Sequence, residues 1–124
     1  MRNVLLVMAG GALGSGLRYL FGRFATAAFG ADYPWGTLGV NLIGGLAMGL
    51  LAGTLLRGGG GEAVRLAIGV GVLGGFTTFS SFSLDMVTMI ERGASAGALG
   101  YALASVVGAG TALFVGLQLT RGAA

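Results

Sequence analysis

The residues of this sequence that can do chemistry are concentrated in one run, Gly-Gly-Phe-Thr-Thr-Phe-Ser-Ser-Phe-Ser, at positions 74–83. Phe79 and Phe82 are three residues apart and would share one face of a helix. The positive edge of an aromatic ring offers a small anion a favourable contact without a full charge. Ser80 and Ser81 add hydroxyl donors beside the rings. The run therefore predicts an anion contact, while the spacing alone leaves ordinary core aromatics open.

Further neutral donors occur in two other hydrophobic segments of the chain. Thr37 and Asn41 are four residues apart and share a helix face, and Tyr101 and Ser105 have the same spacing. A buried amide or hydroxyl in lipid needs a partner, and it marks either a helix contact or a pathway. Together these side chains predict a row of donors that can pass an anion along without trapping it as a fixed positive charge would.

Arg18 lies well inside the first hydrophobic segment, on the face of the glycine stripe formed by Gly10, Gly14 and Gly22. Such stripes allow helices to pack closely. A guanidinium is always charged, so it must reach the membrane surface, pair with an acid or donate to backbone carbonyls. Two roles for Arg18 stay open: it draws anions into a vestibule, or it clamps the structure.

The sequence lacks the residues that most enzyme sites use. It contains no Cys and no His, which removes the usual nucleophile, base and zinc ligands. The acids lie at or near segment ends rather than as a pair deep in a site, and they are Asp32, Glu62, Asp85 and Glu91. The seven arginines form no basic patch. We expect neither enzymatic catalysis nor nucleic-acid binding.

The elements that must position these residues are membrane-spanning helices. Of the 124 residues, 55% are hydrophobic and only 9% are charged, whereas soluble domains carry about 25% charged residues. The mean hydropathy is +0.90. A helix needs about 20 apolar residues to cross a bilayer, and the sequence predicts four such helices, at 3–29, 36–56, 63–91 and 96–119, in a single transmembrane domain over 1–124. We expect the first to be retained rather than cleaved as a signal peptide.

The third segment is unusual in its length and in its middle. From 63 to 91 it has 29 residues, more than a plain crossing needs. Two glycines and two β-branched threonines lie together at positions 74–78 and weaken a helix, so we predict a break near the middle. Carbonyls freed in a broken membrane helix commonly coordinate cations. The alternative is a packing crossover in which the hydroxyls bond back to their own helix.

The arginines orient the chain only weakly. An even number of spans places both termini on one side, together with Arg2, Arg57, Arg65 and Arg121. Arg23 and Arg92 lie toward the other side. Because Lys and Arg in short loops favour the cytoplasmic side, this distribution favours termini inside without fixing it. The sequence predicts a chain that can insert in both orientations.

Three motifs together resemble one known family. They are Gly-Gly-Ala-Leu-Gly at 10–14 leading to Arg18 and Tyr19, Gly-Thr-Leu-Gly-Val-Asn at 36–41, and the run at 74–82. This combination is similar to the Fluc fluoride channels, also called the CrcB family, over nearly the whole chain. The resemblance implies a fluoride-specific channel of the plasma membrane, the inner membrane in bacteria, which exports fluoride passively and protects the cell from its toxicity.

The resemblance also implies an antiparallel homodimer in the lipid bilayer, with two fluoride pores and one structural sodium ion at the dimer interface. Phe79 and Phe82 would line the pore and Asn41 would supply its amide. A polar track would consist of Ser80, Ser81, Tyr101 and Ser105. The carbonyls of Gly74 and Thr77 from both subunits would hold the sodium. This chain departs from the expected pattern in the fourth helix, where Ala109 and Leu113 offer no hydroxyl.

Two other functions are alternatives to a channel. A small multidrug-type, proton-coupled antiporter also has four short helices in a dimer, but it needs an acid embedded in the membrane, and the first segment holds Arg18 and no acid. A packing subunit of a larger membrane complex would need only the glycine stripes, and it gives the broken third segment no purpose.

Overall fold

The computed structural model describes residues 1–121, and within this range the chain consists of helices and short connections, with no strand. The helices are α1 (Arg2–Phe29), α2 (Trp35–Leu56), α3 (Glu62–Val64), a π-helical segment (Arg65–Leu73), α4 (Gly74–Phe76), α5 (Ser80–Glu91) and α6 (Ser95–Arg121). The four elements from α3 to α5 form the third span, Glu62–Glu91. Four spans are long and apolar enough to cross a membrane, as the sequence predicted.

Short connections join the spans, so each span runs antiparallel to the one before it. Gly93 ends the third span with a φ of 90°, which a glycine adopts without strain. The ends of the bundle are fixed by arginines that donate to backbone carbonyls: Arg57 Nη1 donates to the Thr120 carbonyl at 3.0 Å, and Arg92 Nη2 donates to the Asp32 carbonyl at 3.2 Å. Three span ends, at residues 29, 56 and 91, coincide with the predicted ones, and the other five differ by one or two residues.

Glycines bring α2 and α6 into backbone contact along much of their length. A Cβ atom added to Gly49 would overlap the Leu113 carbonyl oxygen, and one added to Gly116 would lie 2.5 Å from the Leu46 carbonyl oxygen. Real side chains do not approach this closely, so only glycine allows the two helices to meet here.

The π-helical segment and α4 pack on α1 in the same manner. A Cβ atom at Gly10 would overlap the Ala67 carbonyl oxygen, and one at Gly75 would lie 2.6 Å from the Gly11 carbonyl oxygen. No sequence pattern indicated this wider helix, because no residue type selects an i→i+5 hydrogen bond over the i→i+4 bond of an α-helix.

The predicted break in the third span is present, and it lies just after the two glycines rather than on them. Gly74 and Gly75 are helical, and α4 ends at Phe76. Thr77 turns to an extended conformation, with φ −86° and ψ 158°, and α5 begins at Ser80. A β-branched residue tolerates extended backbone better than helical backbone.

Candidate functional site

Asn41 on α2 completes the hydrogen bonding of the broken helix. Its Oδ1 accepts from the backbone N–H of Thr78 at 2.8 Å, and its Nδ2 donates to the Thr78 carbonyl at 3.0 Å. The carboxamide therefore pairs with both polar groups of one backbone residue. In lipid, such groups must be satisfied within the protein. The sequence placed Asn41 in a pathway, and the structure adds this contact with the break.

Arg18 on α1 donates from Nε to the Gly75 carbonyl at 3.1 Å. This is the backbone-carbonyl contact that the sequence offered as one solution for a guanidinium inside a span. The same side chain also lines a cavity, so the structure supports the clamp without removing the vestibule role.

Two carbonyls at the break lose the donors that a continuous helix would give them. The Thr78 N–H donates to Asn41 instead of to the Gly74 carbonyl. The Ser81 N–H donates to Thr78 Oγ1 at 3.2 Å instead of to the Thr77 carbonyl. The carbonyls of Gly75 and Thr78 are bonded by side chains. Within residues 1–121, the oxygens of Gly74 and Thr77 therefore lack the donors that a continuous helix would give them.

The structure separates the two phenylalanines that the sequence treated as a pair. Their ring centroids are 5.6 Å apart, but Phe79 is 77% exposed whereas Phe82 is only 7% exposed. Phe82 packs against Tyr101 with 5.1 Å between ring centroids. Phe82 therefore has the surroundings of a core residue on one side, and Phe79 projects from the single subunit.

The hydroxyls of the run do not all have the same environment. Ser83 Oγ donates to the Phe79 carbonyl and Thr77 Oγ1 donates to the Leu73 carbonyl, each bonding back to its own helix as the packing alternative predicted. Ser80 Oγ instead lies 3.4 Å from Thr78 Oγ1. The alternative therefore describes Ser83 and Thr77 but not Ser80.

Asp85 is a site residue that the sequence reading missed. The Tyr101 hydroxyl donates to Asp85 Oδ2 at 3.0 Å, which joins the third span to α6. Tyr101 is fully buried, and Tyr33 packs edge-on against it. The available signal was an acid within the limits of a predicted span, which requires a partner in lipid.

Two cavities adjoin at the break, since Thr78 lines both. The large cavity has a volume of about 790 Å³ and opens among charged and polar residues that include Arg18, Arg23, Thr37, Ser81, Asp85 and Arg92. The small cavity has a volume of about 400 Å³, and its wall includes Asn41, Thr77, Phe79, Phe82 and Ser105. Six of the eight predicted pathway residues line these cavities: Thr37 and Ser81 line the large one, and Asn41, Phe79, Phe82 and Ser105 line the small one.

Ser105 has a distinctive place in the small cavity. It is 6% exposed, and within the described residues its Oγ atom has no hydrogen-bond partner. An unpaired hydroxyl in an apolar environment costs free energy. A polar ligand in the cavity would satisfy it. Tyr101 and Ser80 lie near this region but do not line either cavity.

The fold and the site define a small four-span membrane protein with a broken helix beside a polar cavity. Residues 5–117 match the family described as CrcB-like protein, Camphor Resistance (CrcB), and the chain belongs to this family. The resemblance predicted from the motifs is confirmed. Four spans and this family together make the chain a multi-pass plasma-membrane protein.

Curated relatives match the chain over essentially its whole length. The fluoride-specific ion channel FluC of Mesorhizobium japonicum is 54% identical over 121 residues, which is 98% of each chain. That of Caulobacter sp. (strain K31) is 55% identical over 123 residues, 98% of this chain and 96% of the relative. That of Novosphingobium aromaticivorans is 52% identical over 126 aligned positions, covering 100% of each chain.

Proposed function

We propose that this chain is one subunit of a fluoride-specific channel that exports fluoride passively from the cytoplasm. The observation that carries the proposal is the small cavity, in which phenylalanine rings and unused neutral donors meet. The relatives bear the name of a fluoride-specific ion channel. On this proposal the protein is a channel and not an enzyme.

The donor inventory of the small cavity suits a small anion. Asn41 Nδ2 has two hydrogens and uses one on the Thr78 carbonyl, so one remains for a ligand. Ser105 supplies an unpaired hydroxyl. Fluoride is strongly hydrated, and a pore must replace those hydrogen bonds with donors of its own. Neutral donors do so without the tight binding that an arginine would give.

Passive export needs only a selective path. An inside-negative membrane potential is worth about 2.3 kcal/mol per elementary charge per 100 mV and pushes an anion outward. Arg18, Arg23 and Arg92 in the wall of the large cavity would raise the local anion concentration beside the small cavity. The functional step is then transfer from this charged cavity to the neutral donors.

Fluoride efflux from liposomes containing only this protein tests the proposal. We expect passive fluoride efflux with chloride strongly rejected, because the few neutral donors of the small cavity cannot solvate the larger anion equally well. A fluoride electrode and a chloride electrode record both ions in the same preparation. Absence of efflux from a verified, folded preparation would contradict the proposal.

Proton-coupled cation exchange is the second candidate, because Asp85 is an acid within the third span and lines the large cavity. Its Tyr101 contact gives it a structural role that does not require proton transport. Cation movement driven by a pH gradient in the same liposomes, without fluoride efflux, would favour the antiporter.

The proposal includes an antiparallel homodimer. The exposed ring of Phe79 at the small cavity would be covered by a second copy. The weak arginine asymmetry allows both orientations in one membrane. Tags on the termini should therefore be accessible from both sides of a membrane. If every copy placed its tags on one side, the antiparallel arrangement would be wrong.

A structural sodium ion is the remaining part of the proposal. The residues at the break fit such an ion, because the N–H groups that would bond the Gly74 and Thr77 oxygens in a continuous helix donate elsewhere. Carbonyls of unwound segments are typical ligands of Na⁺ in membrane proteins. The same oxygens of a second copy would complete the shell. Replacing Na⁺ by a large organic cation should lower the dimer fraction in detergent, and an unchanged dimer fraction would argue against the ion.

A further inference from the structure

The wall of the small cavity changes character along its length. Near the break it includes Asn41 and Ser105, whose donors can contact an anion. Further along α2 and α6 it includes Met48, Ala109 and Leu113, which have no side-chain donor. The cavity is therefore polar toward the large cavity and apolar toward the other end of the bundle.

The geometry of α6 sets the length of this apolar section. Ser105, Ala109 and Leu113 are spaced by four residues and follow one face of the helix. At about 1.5 Å per residue, Ala109 lies about 6 Å beyond Ser105 and Leu113 about 12 Å beyond it. A Cβ atom added to Gly45 would lie 2.9 Å from the Ala109 carbonyl oxygen, which places Ala109 directly against α2.

We propose that the apolar section of the small cavity, which begins at Ala109, limits fluoride conduction in this protein. The inference rests on the proposed channel function and identifies the slow step within it. An ion that leaves Ser105 on its way to the end of the bundle where Arg57 and Arg121 lie passes Ala109 without a side-chain donor. A charge moved into apolar surroundings without hydrogen bonds loses its solvation, so the barrier to transport is highest in this section.

Position 109 is also where a donor can be added with little disturbance. Ala109 lines the small cavity, so a hydroxyl there would extend into existing space. It would continue the spacing of Tyr101 and Ser105 by one more turn of the helix. Met48 on α2 offers a second position in the same section, and glutamine has nearly the same length and shape as methionine while carrying an amide donor.

The test compares fluoride efflux per reconstituted dimer for the full chain and three variants. We expect Ala109→Ser and Met48→Gln each to conduct about three- to tenfold faster than the wild type, because each lowers the barrier in the apolar section. Ala104→Ser is the matched control: it adds the same hydroxyl to an exposed position of α6 outside both cavities, and its efflux should equal that of the wild type.

The glutamine variant guards against one ambiguity. A serine in a helix can donate to the carbonyl four residues before it and so be lost to the ion, whereas a glutamine amide keeps a hydrogen free. If both variants form normal dimers and neither exceeds the wild-type rate, the inference is overturned while the channel function stands. If wild type and all variants are silent, the proposed function and the inference both fail.

Discussion

The α2–α6 interface and the break in the third span satisfy backbone hydrogen bonds inside the membrane in opposite ways. Along α2 and α6 each helix satisfies its own backbone, and glycines such as Gly49 and Gly116 let the two backbones touch. At the break the hydrogen bonding of the backbone is incomplete, and Asn41 and Arg18 supply the missing partners from neighbouring helices. One region uses the smallest residue, and the other uses long polar side chains.

This difference explains why we place the proposed anion path at the break. A continuous helix leaves no free donors in lipid, because its own carbonyls use them. A break frees backbone groups, and the side chains that satisfy them bring more hydrogen-bonding capacity than the backbone consumes. Asn41 has a hydrogen left over for this reason. The unused capacity is what a neutral anion path requires.

The largest effect is expected from Asn41→Asp at the break. An ionised carboxylate can accept from the Thr78 N–H but cannot donate to the Thr78 carbonyl, and it repels anions. Fluoride efflux per dimer should fall by about a hundredfold or more, equivalent to about 2.7 kcal/mol of barrier. Thr54→Val on the same helix is the control, because the Thr54 hydroxyl donates only to the Leu50 carbonyl. Normal efflux from the Asn41 variant would remove Asn41 from the path.

The glycine interface should respond to added bulk through assembly rather than conduction. Gly49→Ala places a methyl group on the Leu113 carbonyl and should cost about 1–3 kcal/mol of stability. Gly16→Ala is the matched control, since nothing lies within 4 Å of a Cβ atom there. Thermal denaturation in detergent measures both variants. Equal melting temperatures for the two would show that the interface tolerates separation of its backbones.

Substituting Phe82 should mainly lower stability, whereas substituting Phe79 should mainly lower conduction. Phe82→Leu removes part of a buried ring that packs on Tyr101 and should cost about 1–2 kcal/mol of stability. Phe79→Leu, at an exposed ring, should leave the subunit folded but lower efflux per dimer by about tenfold. Efflux and melting temperature measured together separate the effects. If Phe79→Leu conducts normally, its ring does not contact the ion.

The smallest effect is expected from Arg18→Gln, which separates the two roles of Arg18. The glutamine Nε2 atom is as far along the side chain as the arginine Nε atom that donates to the Gly75 carbonyl, so the clamp can be kept without the charge. We expect a normal dimer yield and a roughly fivefold lower efflux at low ionic strength, with the deficit shrinking as salt screens the field. Unchanged efflux at every salt concentration would leave Arg18 as a clamp alone.

The sequence predicted the elements of this protein better than their contacts. Hydropathy gave four spans, and the glycines and threonines at 74–78 indicated a break, because both signals are local. The pairing of Asn41 with Thr78 and the different exposure of Phe79 and Phe82 depend on which helices meet, which no local pattern specifies. The sequence placed Asp85 near a span end, and its bond to Tyr101 depends on the packing of the third span against α6.

The pairing of Asn41 with Thr78 also has a consequence for how the protein is made. A chain emerging from the ribosome delivers α2 to the membrane before residues 77–79 follow. The unwound segment would be unstable in lipid on its own, since each unsatisfied backbone group there costs several kcal/mol. Its carboxamide partner is already in the bilayer when the segment arrives. The order of synthesis therefore provides the partner of the unwound segment before that segment enters the membrane. A permuted chain that delivered α2 last would have to insert the unwound segment without this partner.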